Sequence, residues 1–280
     1  MLKRIFSTFL LWGVMLAGLW FFGAHAAVFM VTVLAALTLY EFYGMTERMG
    51  ARPFRWMGIG FSVLITAGSY YAAYFYQVSD LSEILVTPLL VAAVLISCIR
   101  VLGERDPTNR METIAATVLG LLYVPFMLQF FIRILMRDSD SGDNVTLCIW
   151  VVAVSKCCDV GALLSGMAFG KHKMASVISP KKTWEGAVGG VIISAGVGAT
   201  IAYFFPSRLP DDLTPLVAAT IAVPLAIITI VSDLMESALK RRADTKDAGA
   251  LIPGIGGAFD LTDSLILTAP VAYFIFLFLV

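Results

Sequence analysis

Apolar residues fall into nine blocks along the chain, at about 5–23, 25–44, 57–77, 83–101, 114–136, 145–170, 184–205, 214–236 and 264–280, separated by short segments carrying Arg, Lys, Asp, Pro and Gly. A helix needs about 20 such residues to cross the hydrocarbon core of a bilayer. The pattern therefore predicts an all-α polytopic membrane helix bundle with about nine transmembrane helices. The boundary between the first two blocks is only Gly23-Ala24-His25, which reads as a tight hairpin or as one broken helix. With no internal repeat and no low-complexity linker, 1–280 reads as a single integral membrane domain: 1–136 gives N-terminal helices, and 145–280 gives the catalytic helices and their loops. Composition closes off the alternative of a soluble globule, since 59% of the 280 residues are hydrophobic and 14% charged, with a mean hydropathy of +0.86.

Twenty basic and twenty acidic residues cancel, which argues against a protein held to nucleic acid by bulk charge. Position says more than total. With the N-terminus inside, alternate loops hold sixteen Lys and Arg, from Lys3 and Arg4 to Lys240, Arg241, Arg242 and Lys246; the opposite side holds only Arg133, Arg137 and Arg208. Cytoplasmic loops are enriched in these residues, so the expected topology is N-in and C-out, in the cell's inner or plasma membrane. The long loops 171–183 and 237–263 then share a cytoplasmic face, which is the candidate active face. The opening Met1-Leu2-Lys3-Arg4 and the run after it read as an uncleaved first helix, because no small-residue cleavage pattern ends in a polar mature sequence. The four cysteines lie inside apolar stretches without metal-finger spacing, and neither histidine has an evident triad partner.

Four groups of residues can carry chemistry. Lys156-Cys157-Cys158-Asp159 places two ionisable groups inside the sixth block, where each costs about 2.5–3.5 kcal/mol at a helix centre. Two readings stand: an i,i+3 ion pair that neutralises itself, or a polar cavity entered from one side. Ser179-Pro180-Lys181-Lys182-Thr183-Trp184-Glu185-Gly186 precedes a glycine-rich block; Thr183 can cap that helix, and lysines beside a helix N-terminus suit phosphates. The plainer reading is a capped helix with positive-inside lysines. In 232–247, the projected helix brings Asp233, Ser237, Lys240 and Arg241 to one face at i, i+4, i+7 and i+8, which fits a divalent metal with its phosphates or merely the solvated end of a membrane helix. The fourth group, 249–264, has four glycines before Asp260 and Asp263. Asp260 either caps the last helix or is carried across to Asp233 to complete a carboxylate pair for Mg²⁺. Paired acids, lysine-rich sites and a glycine-rich loop on one face are what phosphoryl or nucleotidyl transfer needs, since it relies on positioning and charge neutralisation.

The run Ser237-x-x-Lys240-Arg241-x-x-x-x-Lys246-Asp247-x-Gly249-x-x-Ile252-Pro253-Gly254-x-Gly256-Gly257-x-x-Asp260-x-x-Asp263 resembles the signature of the phosphatidate cytidylyltransferases, also called CDP-diglyceride synthetases. Asp159-x-Gly161-Ala162, Gly170-Lys171-His172 and Ser179 to Gly186 look like that family's other recurrent block, so the resemblance covers about 156–264. It implies transfer of CMP from CTP to phosphatidic acid, giving CDP-diacylglycerol and pyrophosphate. It implies Mg²⁺ on Asp233 and Asp260, with Ser237 and Asp263 beside them and room for a second cation. Ser179, Lys181, Lys182 and Thr183, together with Glu185 and Asp159, are the implied CTP site. Lys240, Arg241, Lys246 and Asp247 are implied for the lipid phosphate or the departing pyrophosphate. The partners implied are CTP and membrane lipid, with no nucleic acid, and the chain admits a homodimer. Two positions depart from the family pattern, which usually has His at Ile255 and Arg at Leu261. Competing readings are cytidylyl or phosphoryl transfer to another lipid, such as an isoprenoid, and a non-catalytic membrane transporter or scaffold.

Overall fold

A computed structural model describes residues 13, 17–78, 80–103, 110–137, 143–249 and 256–279; the first apolar block and Ile255 lie mostly or wholly outside them. Among the described residues, seven helices are long and apolar enough to cross a membrane: Ala24–Arg48, Leu81–Leu102, Arg110–Leu135, Asn144–Phe169, Trp184–Phe204, Pro215–Arg242 and Ala258–Leu279. The chain is an integral membrane protein. It divides into two compact units, one of residues 1–136 with 242–262, the other of 137–241 with 263–280.

In the first unit, α1 (Ala24–Arg48) is followed by α2 (Arg55–Val63), a π-helical turn (Leu64–Gly68) and α3 (Ser69–Tyr76), an unbroken run over the third apolar block. Then come α4 (Leu81–Leu102), α5 (Arg110–Tyr123) and α6 (Pro125–Leu135). The fifth block breaks at Val124 because Pro125 has no N–H and its ring excludes the carbonyl four residues back; at the first position of α6 it costs nothing. The core of this unit forms around Tyr43, which is fully buried and donates its hydroxyl to the Thr117 carbonyl at 2.9 Å. A Cβ at Gly58 or Gly120 would overlap the Tyr43 ring, so those two glycines let α2 and α5 close on α1.

In the second unit, α7 (Asn144–Phe169) starts at Asp143, whose carboxylate accepts the Val145 amide at 3.0 Å. It packs along α8 (Trp184–Phe204) through small residues. A Cβ on Gly190 would stand 2.8 Å from the Cys158 carbonyl, and one on Gly186 2.7 Å from that of Ala162, so the two backbones touch. Two buried hydrogen bonds fix the register: Trp150 Nε1 donates to the Gly198 carbonyl at 3.0 Å, and Ser194 Oγ to that of Val154 at 2.9 Å. Between these helices a hairpin of β1 (Lys173–Ala175) and β2 (Ser179–Thr183) pairs Lys173 with Thr183 and Ala175 with Ser179. α9 (Pro215–Arg242) runs six residues beyond its apolar block, and α10 (Ala258–Ile266) and α11 (Thr268–Leu279) form the last span.

Candidate functional site

Thr183 caps α8 as its place before the glycine-rich block suggests: its side-chain oxygen accepts the Gly186 amide at 3.2 Å. The O–H it retains is what remains for a ligand. Glu185, in the first turn, accepts the backbone amide of Lys171 at 3.0 Å and meets His172 Nδ1 at 2.6 Å, holding the turn that leads into β1. Arg241 Nε donates to the Ile178 carbonyl at 3.3 Å, so the end of α9 grips the hairpin from the other side.

The unbroken helix through Arg242 makes the projected face of Asp233, Ser237, Lys240 and Arg241 real. Its first member belongs to an acidic cluster: one carboxylate oxygen each from Asp233, Glu236 and Asp263 lie within 4.8 Å of one another. Two oxygens bound to one ion at about 2.1–2.6 Å stand no more than about 4–5 Å apart, and hard carboxylates suit a hard divalent ion. The donor set thus fits the metal that the sequence implies, with Glu236 as a member that sequence reading passed over. The signal for Glu236 was its place one helical turn after Asp233. Asp260 is not in this cluster; it lies inside the first turn of α10 rather than at the cap position read for it, and its carboxylate accepts the Gly257 amide at 2.9 Å.

Each carboxylate of the cluster also faces a lysine. Lys182 Nζ is 2.5 Å from Asp233, Lys240 Nζ 2.6 Å from the buried Glu236, and Lys156 Nζ 3.4 Å from Asp263. Lys156 also donates to Ser264 Oγ at 2.7 Å and lies 3.9 Å from Asp159, so the pair inside the sixth block opens into a wider network. Ser232 Oγ donates to the Asp263 carbonyl, which pins α10 against α9 at this level. Beside the cluster is a cavity of about 480 Å³, within the range of small-molecule sites. Asp159, Asp233, Lys173, Lys181 and Lys182 line it, together with Gly166 and Gly186 where the two backbones meet. Ser179 is half-buried on β2. Lys246 and Asp247 are exposed in the segment after α9, where Thr245 Oγ1 donates to the Asp247 carbonyl at 2.8 Å. Leu261 is half-buried on α10.

The membrane bundle thus sets three acid–lysine pairs beside one cavity, an arrangement whose charges can receive a cation and an anion. The chain belongs to the cytidylyltransferase family, whose model matches residues 2–279. It is 35% identical over 175 residues, 62% of its length, to the phosphatidate cytidylyltransferase of Mycobacterium bovis, and it spans about half of that relative, 54%. It is 34% identical over 196 residues to the protein of the same name from Rickettsia bellii, covering 67% of this chain and 80% of the relative. The Thermotoga maritima protein of that name is 33% identical over 181 residues, 62% of this chain and 63% of the relative.

Proposed function

We propose that this chain transfers CMP from CTP to phosphatidic acid, releasing pyrophosphate and leaving CDP-diacylglycerol in the membrane. The observation that carries the reading is the acidic cluster of Asp233, Glu236 and Asp263 sharing Asp233 and Lys182 with a lysine-lined cavity. A phosphate oxygen of phosphatidate attacks the α-phosphorus of CTP, and the bond to the β-phosphate oxygen breaks. No strong base is needed, because that phosphate is already ionised. The difficulty is bringing two anions together.

Asp233, Asp263 and Glu236 would hold Mg²⁺, with Ser237 one turn along α9 and Asp260 added by the family motif; the ion would neutralise the triphosphate and the charge developing on pyrophosphate. Lys181 and Lys182, with Ser179 and the hydroxyl of Thr183, take the CTP phosphates. Asp159 lines their cavity, and Glu185 sets the turn that carries Lys171 and Lys173. Lys240, Arg241 and Lys246, with Asp247, serve the lipid phosphate or the leaving pyrophosphate. Lys156 orients Asp263 through its bonds to Asp263 and Ser264.

The same reading has nine spans with the N-terminus inside, so that 171–183 and 237–263 face the cytoplasm. The helical run Arg55–Tyr76 supports one span beyond the seven, and the sixteen-to-three split of basic residues supports the orientation. The test uses purified protein in detergent with labelled CTP, Mg²⁺ and a panel of lipid phosphates that includes an isoprenoid phosphate. Mg²⁺-dependent labelling of phosphatidate by the unaltered chain is expected despite Ile255 and Leu261, and Ile255→His with Leu261→Arg should change only the rate. No labelling of any lipid until both are restored would mean that the departures disable the enzyme. Cysteine accessibility placing 171–183 and 237–263 on opposite faces would sink the shared site.

A further inference from the structure

Glu41 is the one acidic residue in the apolar block 25–44, and it lies on α1 with 5% of its surface exposed. A carboxylate buried there must be held by donors. Its Oε2 accepts the Phe259 amide at 2.8 Å, in the first turn of α10, where a helix presents unpaired N–H groups and its positive end. Its Oε1 has no hydrogen-bond partner among the described residues. Two glycines press on the same carboxylate: a Cβ on Gly257 would stand 2.5 Å from Oε2, and one on Gly249 would collide with Oε1. Gly257 in turn donates its amide to Asp260 at 2.9 Å. Gly257 is thus gripped on both sides, its Cα against Glu41 and its N–H on Asp260.

We infer that Glu41 is a positioning residue which fixes the start of α10 and, through Gly257, the carboxylate of Asp260. The glycines at 249 and 257 have a steric reason in this arrangement, because any side chain at either position would displace the acid. The inference rests on the transfer reading for its kinetic consequence, whereas the anchoring stands on geometry alone. Glu41→Gln keeps the shape and one acceptor oxygen but removes the charge at the helix end; Glu41→Ala removes the acceptor altogether.

Hydrogen exchange of the full chain in detergent separates these effects from general loosening. Exchange across 257–262 should quicken about tenfold in Glu41→Gln, as expected for a weakened charge-assisted hydrogen bond, with α4 unchanged. In the labelling assay kcat should fall by a similar factor, with an unchanged KM for CTP. Unchanged exchange at 257–262, equal quickening in α4, or local quickening with an unaltered kcat would each overturn the proposal. Should Glu41→Ala not fold, Glu41→Gln decides alone. An unaltered chain that labels no lipid defeats the transfer reading, and the exchange data still decide whether Glu41 anchors α10.

Discussion

Asp233→Asn and Asp263→Asn should each lower Mg²⁺-dependent labelling of phosphatidate by about a hundred- to ten-thousandfold in protein that remains folded. The change keeps the side chain's shape and removes one negative charge from a cluster whose oxygens lie within 4.8 Å of one another. Metal stabilisation of transition-state charge is worth several kcal/mol, and each 1.36 kcal/mol is tenfold in rate, which gives about that range. If the carboxylates act on one ion, the double variant should be little worse than either single one, because the second substitution removes what the first has already lost. Multiplying losses would mean independent roles. Near-normal turnover in either single variant, with helical content intact by circular dichroism, would refute the metal assignment. Asp260→Asn separates the motif from the observed cluster: its effect should depend less steeply on Mg²⁺ concentration if its main work is to receive the Gly257 amide.

A second large effect is expected on folding. Gly186→Ala combined with Gly190→Ala should lower stability by about 2–6 kcal/mol, read as the midpoint of thermal unfolding in detergent. Each new methyl meets a backbone carbonyl of α7, at 2.7 and 2.8 Å, and backbone cannot swing aside as a flexible side chain does. Overpacking of this kind costs about 1–3 kcal/mol per site. Tryptophan fluorescence reports the event locally, since Trp150 is buried and hydrogen-bonded across the same seam to Gly198. Gly196→Ala is the control. It lies on the same helix with nothing within 4 Å of its Cβ, so alanine there should be neutral or stabilise α8 by up to about 1 kcal/mol. Equal losses in the control and the double variant would refute the account of the seam.

The long helices were legible because lipid makes burial a matter of block length rather than of periodicity. Thr183 as a cap and the continuation of α9 through Arg242 were also legible, both being local consequences of residue type and helical spacing. What escaped was tertiary. The 173–183 hairpin has no alternating pattern, because its short strands carry lysines on either side and are held by Glu185 and Arg241 from neighbouring helices. Glu236 looked like one more charge at a solvated helix end until Lys240 and Asp263 were placed around it. Glu41 was a lone acid in an apolar block, and the cost of a charge there was the only hint of a partner more than two hundred residues away.

The acid–lysine pairs make the site its own counterion. Lys182 gives less of its charge to a phosphate while it rests 2.5 Å from Asp233, and Asp233 gives less of its own to another cation while Lys182 holds its Oδ2. On the proposed assignment, either ligand arriving alone would break a pair and leave one charge without a partner. Arriving together, they exchange partners and leave none. Affinity for the nucleotide and affinity for the ion should therefore rise together by one shared factor, whichever is added first. In its resting state the same pairing keeps several formal charges in a membrane protein close to electrically silent.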